Sequence, residues 1–375
     1  MKNKRALQIT LGLGRTVGGG EYTALIIAEL LKELGFNVTL LCKRMPNSRK
    51  YLKAFGVEFP FDEIAIFRYP KLPKIFRLYH YLIYPLSTPN IYADLYFNTS
   101  ADSHPFVFPI SAILDYKPIV YYVTALPLTP PWHIRDSIKE SGIGVRELYR
   151  SIFSLLAEIY WKKLNAFFIA CSKYVAKIMN ECLGVSPEIL YTPVDVEKYL
   201  WRNEEKEDYA VVMGRLDPSK RYEDAILACK KAGVKLVMLL AMQNKQYYRQ
   251  ILKLIKQHDL DDKVQIILNA PIEVRSRILR KAKVFIHCRI EAGAKAVREA
   301  MAAGCIPIVP AEGGQSEFVP KEFTYLNIDE LPQKIREAMT AGPRLRRYIV
   351  EESKKHDKQF FKRKLKEILF SALLC

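Results

Sequence analysis

Glu291-Ala292-Gly293-Ala294-Lys295-Ala296-Val297-Arg298-Glu299-Ala300-Met301-Ala302-Ala303-Gly304 is the stretch whose reading decides the fold. A short β-prone run, Val284-Phe285-Ile286-His287-Cys288, leads into it. Its small residues Ala292, Gly293 and Ala294 make a turn, and the rest keeps helical period up to Gly304. A second β run, Ile306-Pro307-Ile308-Val309, follows and closes in Pro310-Ala311-Glu312-Gly313-Gly314. Strand, turn, helix, strand is a βαβ unit. The N-terminus of its helix offers unpaired backbone N–H groups and the positive end of the helix dipole. Gly293, Ala294 and Lys295 are therefore candidate phosphate-binding positions, with Lys295 adding charge. Glu291 precedes the turn, and Glu299 lies eight positions on, about 9 Å further along if the intervening six are helical. Carboxylates accept hydrogen bonds from the vicinal hydroxyls of a ribose or hexose. The alternative is plainer: Glu291 a loop acid and Glu299 a solvated helix residue.

Working outward, the same alternation recurs. Residues 6–14 read as a strand, followed by a glycine-rich turn through Gly18, Gly19 and Gly20 and a helix with Ile27, Leu30, Leu31 and Leu34 on one face. The turn is not a GxGxxG, so a dinucleotide fingerprint is not met. Strands are predicted over 37–42, 94–100, 118–123 and 166–171, with a long helix over 146–164. After the charged run Glu204–Asp208, a strand over 209–213 leads to Gly214-Arg215-Leu216-Asp217-Pro218-Ser219-Lys220. Arg215 and Lys220, two cations five positions apart after a strand, can clamp a diphosphate from one loop. Strands at 235–240 and 263–268 alternate with helices at 245–257 and 271–281. Helices at 329–341 and 348–374 end the chain. The fold class is α/β, with doubly wound parallel sheets.

Length and composition bound the rest. With 375 residues, half of them apolar, the chain has room for two domains with sizeable cores. Its seven scattered cysteines lack a C-x-x-C, which predicts reduced thiols in a cytoplasmic setting and neither a zinc site nor a disulfide frame. The N-terminus reads as a first strand rather than a signal sequence, and no apolar run is long enough to span a bilayer. The net charge of +18 attracts anionic partners: lipid, nucleic acid or phosphorylated substrates. No zinc-finger, RNP-type or leucine-zipper pattern supports nucleic acid. Residues 64–86 interleave Arg68, Lys71, Lys74 and Arg77 with aromatic and aliphatic residues. That stretch and the basic tail suggest peripheral docking on an anionic membrane surface, against the alternative of a core helix with basic residues outside.

The pair E-x7-E followed by Ala-Met-Ala-Ala-Gly resembles the signature of family 4 glycosyltransferases, retaining enzymes of the GT-B fold. The resemblance covers nearly the whole chain and is most specific over 209–317. It implies two Rossmann-like domains facing a central cleft: 1–191 on the acceptor side, a linker over 192–208, and 209–345 for the donor nucleotide. The basic helix over 346–375 is expected to pack back toward the first domain. Glu291 would contact the donor sugar, Glu299 the ribose, and Arg215 and Lys220 the diphosphate. The loop around Gly18–Gly20 is similar to the family's G-G-x-E loop under the donor phosphates. Two departures stand out. The glycine of the motif's turn sits one position early, at Gly293, and Thr124 occupies the place of a reaction-centre histidine. His104 and His133 are not assigned that role.

The resemblance implies transfer of a hexose, mannose or glucose type, from a nucleotide diphosphate sugar to a glycan acceptor, without metal or other cofactor. The Tyr121-Tyr122-Val123 strand with its proline-rich sequel resembles mannosyltransferases that extend dolichol-linked sugars, which implies a lipid-linked acceptor. A soluble or protein acceptor is the alternative within the same fold, and a donor-binding scaffold without turnover is the alternative outside enzymes.

Overall fold

The computed structural model describes residues 4–14, 18–68, 86–100, 106–124 and 166–374. The expected helix over 146–164, His104, His133 and most of the 64–86 stretch (69–85) lie outside them. The chain divides into two compact units. The first takes the described residues of Met1–Leu52, Val57–Tyr191 and Lys362–Cys375, and the second those of Lys53–Gly56 and Thr192–Phe361.

The first unit is built on a seven-stranded parallel sheet ordered β3-β2-β1-β4-β5-β6-β7. Its strands are β1 (Lys4–Ile9), β2 (Phe36–Cys42), β3 (Glu63–Ile66), β4 (Leu95–Asn98), β5 (Ile119–Val123), β6 (Ala166–Ala170) and β7 (Glu188–Ile189). The central strands are near-continuous apolar runs, as both covered faces of a parallel sheet demand. In β5 all of Ile119-Val120-Tyr121-Tyr122-Val123 is buried. β1 is shorter than its apolar run: at Thr10 the chain turns, with Leu13 N–H donating to the Thr10 carbonyl at 3.2 Å. The helices are α1 (Gly19–Glu33), α2 (Ser48–Phe55, of which Lys53–Phe55 fall to the second unit), α3 (Ser111–Leu114) and α4 (Lys173–Leu183).

The second unit has a six-stranded parallel sheet, β10-β9-β8-β11-β12-β13. It comprises β8 (Glu207–Arg215), β9 (Lys235–Ala241), β10 (Val264–Leu268), β11 (Ala282–Ile286), β12 (Ile306–Pro310) and β13 (Thr324–Tyr325). Around it run α5 (Val196–Tyr199), α6 (Tyr222–Ala232), α7 (Lys245–Gln257), α8 (Ile272–Lys281), α9 (Lys295–Ala302), α10 (Leu331–Met339) and α11 (Pro343–Lys354). A last helix, α12 (Lys358–Leu374), begins in the second unit and continues in the first. In both sheets the strand order reverses beside the first strand, between β1 and β4 and between β8 and β11. Open α/β sheets bind ligands outside the carboxyl ends of the strands at this reversal.

Residues 192–208, read from sequence as a linker, pack into the second unit, where Val194, Val196, Tyr199 and Trp201 are buried. The terminal helix expected over 348–374 is two helices. At 355–357 the backbone leaves helical pairing for Val194: Val194 N–H donates to the His356 carbonyl at 3.1 Å, and Lys358 N–H to the Val194 carbonyl at 2.8 Å. Asp357 then holds the Gln359 N–H at 2.8 Å and opens α12.

α9 ends in a Schellman motif. Cys305 N–H reaches the Ala300 carbonyl at 3.0 Å and Gly304 N–H the Met301 carbonyl at 2.9 Å. Gly304 has φ +71°, and a Cβ there would lie 2.9 Å from the Trp201 ring. Gly304→Ala is therefore expected to destabilise the protein by about 2 kcal/mol or more, from left-handed strain plus that contact. Urea unfolding checks this, and an unchanged midpoint would contradict it.

Among the described residues, no helix is long and apolar enough to cross a membrane.

Candidate donor site at the reversal of the second sheet

β8 and β11 deliver the predicted residues from the two sides of the reversal. Arg215 is the last residue of β8 and is exposed, and its carbonyl accepts from the Tyr222 hydroxyl at 3.0 Å. The chain then makes one 3-10 turn, Pro218–Lys220, capped by the Asp217 carboxylate, which accepts from Ser219 N–H at 2.9 Å. This turn points Lys220 back beside Gly214. A Cβ on Gly214 would sit 2.8 Å from the Tyr222 hydroxyl and 3.7 Å from Lys220 Cε. Glycine is what the close approach allows.

From the β11 side, His287 N–H extends the ladder to the Ile308 carbonyl at 2.9 Å. Arg289 Nη1 donates to Ser219 Oγ at 2.8 Å, tying the two loops together. Glu291 follows, and its Oε1 forms an ion pair with Lys220. His287 Nε2 lies 3.6 Å from Glu291 Oε2, and Arg289 Nη1 4.0 Å from Oε1. The Glu291 main chain is pinned on both sides. Its N–H donates to Gln315 Oε1 at 2.8 Å, and its carbonyl accepts from Gly314 N–H at 2.7 Å. Burial would raise the Glu291 carboxyl, but His287, Lys220 and Arg289 outweigh it and hold it down at about 2.

The turn into α9 shows what the displaced glycine does. Ala294 is the residue before the helix and takes φ +31°, ψ 61°, a left-handed conformation that alanine adopts reluctantly. Lys295 and Glu299 then pair one turn apart on α9, with their side chains 12% and 6% exposed. Glu299 is therefore not a solvated helix acid, and the Lys295 charge faces it. Gly293 is held from behind: Arg298, fully buried, donates through Nη2 to its carbonyl at 2.9 Å. The same guanidinium grips the Thr192 carbonyl at 2.5 Å and the Thr192 hydroxyl, and lies 4.8 Å over the Phe318 ring.

The structure thus brings Lys220 and Glu291 into contact, pairs Lys295 with Glu299, and sets Arg215 and the Gly293–Ala294 turn on the same sheet edge. The other predicted residues belong to the first unit. Gly18 precedes α1, Gly19 and Gly20 begin it, and Thr124 follows β5, its carbonyl accepting from the Cys171 thiol at 3.6 Å. The Glu21 carboxylate lies within 2.8 and 3.1 Å of where Cβ atoms on Gly12 and Gly18 would stand. Sequence reasoning did not single out His287, Arg289, Arg298 or Gln315. His287 and Arg289 flank Cys288 beside Glu291, so proximity alone could have flagged them. Arg298 and Gln315 carry no such signal.

Two histidines here carry a pH dependence. Burial keeps His287 neutral, with Lys220 and Arg289 acting the same way against Glu291, and its value falls from 6.5 to about 4. His356, edge-on to Phe318 at 4.6 Å, is pushed down to about 3 by burial and by Arg298 and Lys355. Both groups take protons more readily in the unfolded chain. Stability is thus complete above about pH 6.5 and lost as pH falls toward 4, with Glu291 adding to the loss from 4.5 toward 2. We expect a loss on the order of 5 kcal/mol between pH 7 and 4.5, about half of it abolished in His287→Leu. Urea midpoints that stay flat over this range would contradict the assignment.

Residues 196–356 match the family model of glycosyl transferases group 1. No curated protein matches the chain. Solved structures do. Anabaena HepE, in complex with UDP-glucose, superposes with a TM-score of 0.72 at 14% identity, over 98% of this chain and 99% of that one. Sucrose-phosphate synthase of Thermosynechococcus elongatus gives 0.71 at 13% identity, over 99% and 100%. The pneumococcal O-GlcNAc transferase GtfA, in complex with UDP and GlcNAc, gives 0.67 at 12% identity, over the full length of both chains. The chain has the GT-B fold, and its residues 196–356 are similar to the glycosyl transferases group 1.

Proposed function

We propose that the protein is a retaining glycosyltransferase that moves a hexosyl group from a nucleotide diphosphate sugar to a glycan acceptor. The observation that carries this reading is the meeting of Lys220 and Glu291 at the reversal between β8 and β11, with Arg215 exposed on the same edge. A diphosphate at this edge meets two cations and the N-terminus of α9, which stabilise it as a leaving group. Glu291 and Glu299 supply acceptors for sugar hydroxyls. Lys220 is paired with Glu291, so a bound diphosphate competes for the ammonium. Its arrival releases the Glu291 carboxylate toward the sugar. No step requires a protein nucleophile, and a donor phosphate oxygen can take the acceptor proton.

The acceptor is read as lipid-linked on the strength of charge. α12 exposes Arg363, Lys364 and Lys366, with Phe370 half-exposed among them and 5.8 Å from the Lys366 ammonium. Basic residues interleaved with an aromatic suit an anionic surface. Flotation with phosphatidylserine vesicles but not phosphatidylcholine vesicles is expected, and equal recovery on both would remove this part.

The reaction itself is tested by incubating the protein with nucleotide sugars and polyprenyl-linked or free glycans, then reading the product's anomeric configuration by NMR. Retention supports the reading. Inversion sinks the mechanism, and donor binding without transfer or hydrolysis favours a scaffold.

A further inference from the structure

We propose that His287 is a positioning residue for Glu291: its neutral imidazole, protonated on Nε2, holds the carboxylate when Lys220 turns to a bound diphosphate. The inference rests on the donor-site reading above and extends it to a residue with no assigned role. His287 is 5% exposed, and its Nε2 is buried without a hydrogen-bond partner. That nitrogen faces Glu291 Oε2 at 3.6 Å, a small carboxylate rotation away from a hydrogen bond, while Oε1 is taken by Lys220. Buried polar atoms seldom stay unpaired, and the carboxylate is the acceptor within reach.

The charged groups around the imidazole are Glu291, Lys220 and Arg289. Two cations and burial, against one carboxylate, keep it uncharged, so it acts as an N–H donor and not as a cation. The carboxylate in front of Nε2 selects the tautomer. The main chain that carries the ring is fixed, because the His287 backbone continues the β11–β12 ladder through Ile308. Glu291 has its main chain fixed by Gln315 and Gly314, but its carboxylate is held by side chains alone. Once a diphosphate draws Lys220 away, His287 is the neighbour left in line with Oε2, and Arg289 stands at 4.0 Å from Oε1.

The test combines two readouts on the full chain. In ¹⁵N-histidine-labelled protein at pH 7, the His287 signal, identified by its loss in His287→Gln, is expected to show the Nε2–H tautomer. UDP-glucose, GDP-mannose and ADP-glucose are then titrated into wild type, His287→Leu, His287→Gln, Glu291→Ala and the Glu291→Ala/His287→Leu double variant. His287→Leu is expected to weaken binding of whichever sugar nucleotide wild type takes by about tenfold, the worth of one hydrogen bond to a charged group. His287→Gln, whose amide N–H can replace Nε2–H, recovers most of it, and in the Glu291→Ala background His287→Leu has no further effect. An Nδ1–H tautomer, an imidazolium, or equal losses in both backgrounds overturns the proposal. Loss in Glu291→Ala without loss in His287→Leu overturns it and leaves the donor site standing. Binding of none of the three to folded wild type overturns both.

Discussion

Lys220→Ala is expected to lower the rate of sugar transfer by about 10²–10³-fold, the usual consequence of removing one preorganised group that stabilises developing charge. The side chain is 12% exposed and sits against Gly214, so its ammonium acts in a poorly solvated place. Global stability should fall too, by about 3 kcal/mol, because the largely buried Glu291 carboxylate is left with only His287 and Arg289 beside it. Donor titration of the folded variant therefore separates a diphosphate clamp from a merely structural lysine. A rate within about threefold of wild type, with donor affinity unchanged, would remove Lys220 from the chemistry.

The largest stability effect is expected at Arg298. Arg298→Met keeps roughly the volume but leaves the Thr192 and Gly293 carbonyls and the Thr192 hydroxyl without their donor inside the second unit. At roughly 1–3 kcal/mol for each buried acceptor left unsatisfied, the loss should be about 3–5 kcal/mol. Arg298→Lys should recover little, because one ammonium cannot reproduce the planar fork that serves both chain segments. Since Gly293 belongs to the turn ahead of α9, donor affinity should fall as well, even where the variant is folded. Urea unfolding followed by donor titration measures both, and a midpoint unchanged in Arg298→Met would contradict the role drawn from the contacts.

What the sequence showed, and what it hid, follows from the range of the interactions involved. The βαβ unit around Glu291–Gly304 was legible because its signals are local: a β-prone run, a helical period and a terminal glycine. α7 came out at 245–257 for the same reason, and the structure adds Asn244 as its cap. The break between α11 and α12 was invisible. Residues 348–374 contain neither Gly nor Pro, and the helix stops because the backbone at 356–358 pairs with Val194, far away in sequence. Arg298 looks like any charged helix residue until Thr192 and Phe318 close around it. Within the site, residue types and spacing pointed to Arg215, Lys220, Glu291 and Glu299. That Lys220 neutralises Glu291 and that Lys295 faces Glu299 are tertiary facts that no spacing encodes. The Ala294 strain lies between these cases: a glycine one position early was readable, and its consequence, an alanine at φ +31°, needed the backbone.

The central claim is that the reversal of the second sheet binds the diphosphate of a nucleotide sugar. Isothermal titration of UDP-, GDP- and ADP-sugars into wild type and Arg215→Ala tests it most directly. The account predicts that wild type binds one of them and that Arg215→Ala, though folded, loses at least tenfold in affinity, as expected for a charge-assisted contact to phosphate. Equal binding by both proteins, or no binding by folded wild type, would contradict it.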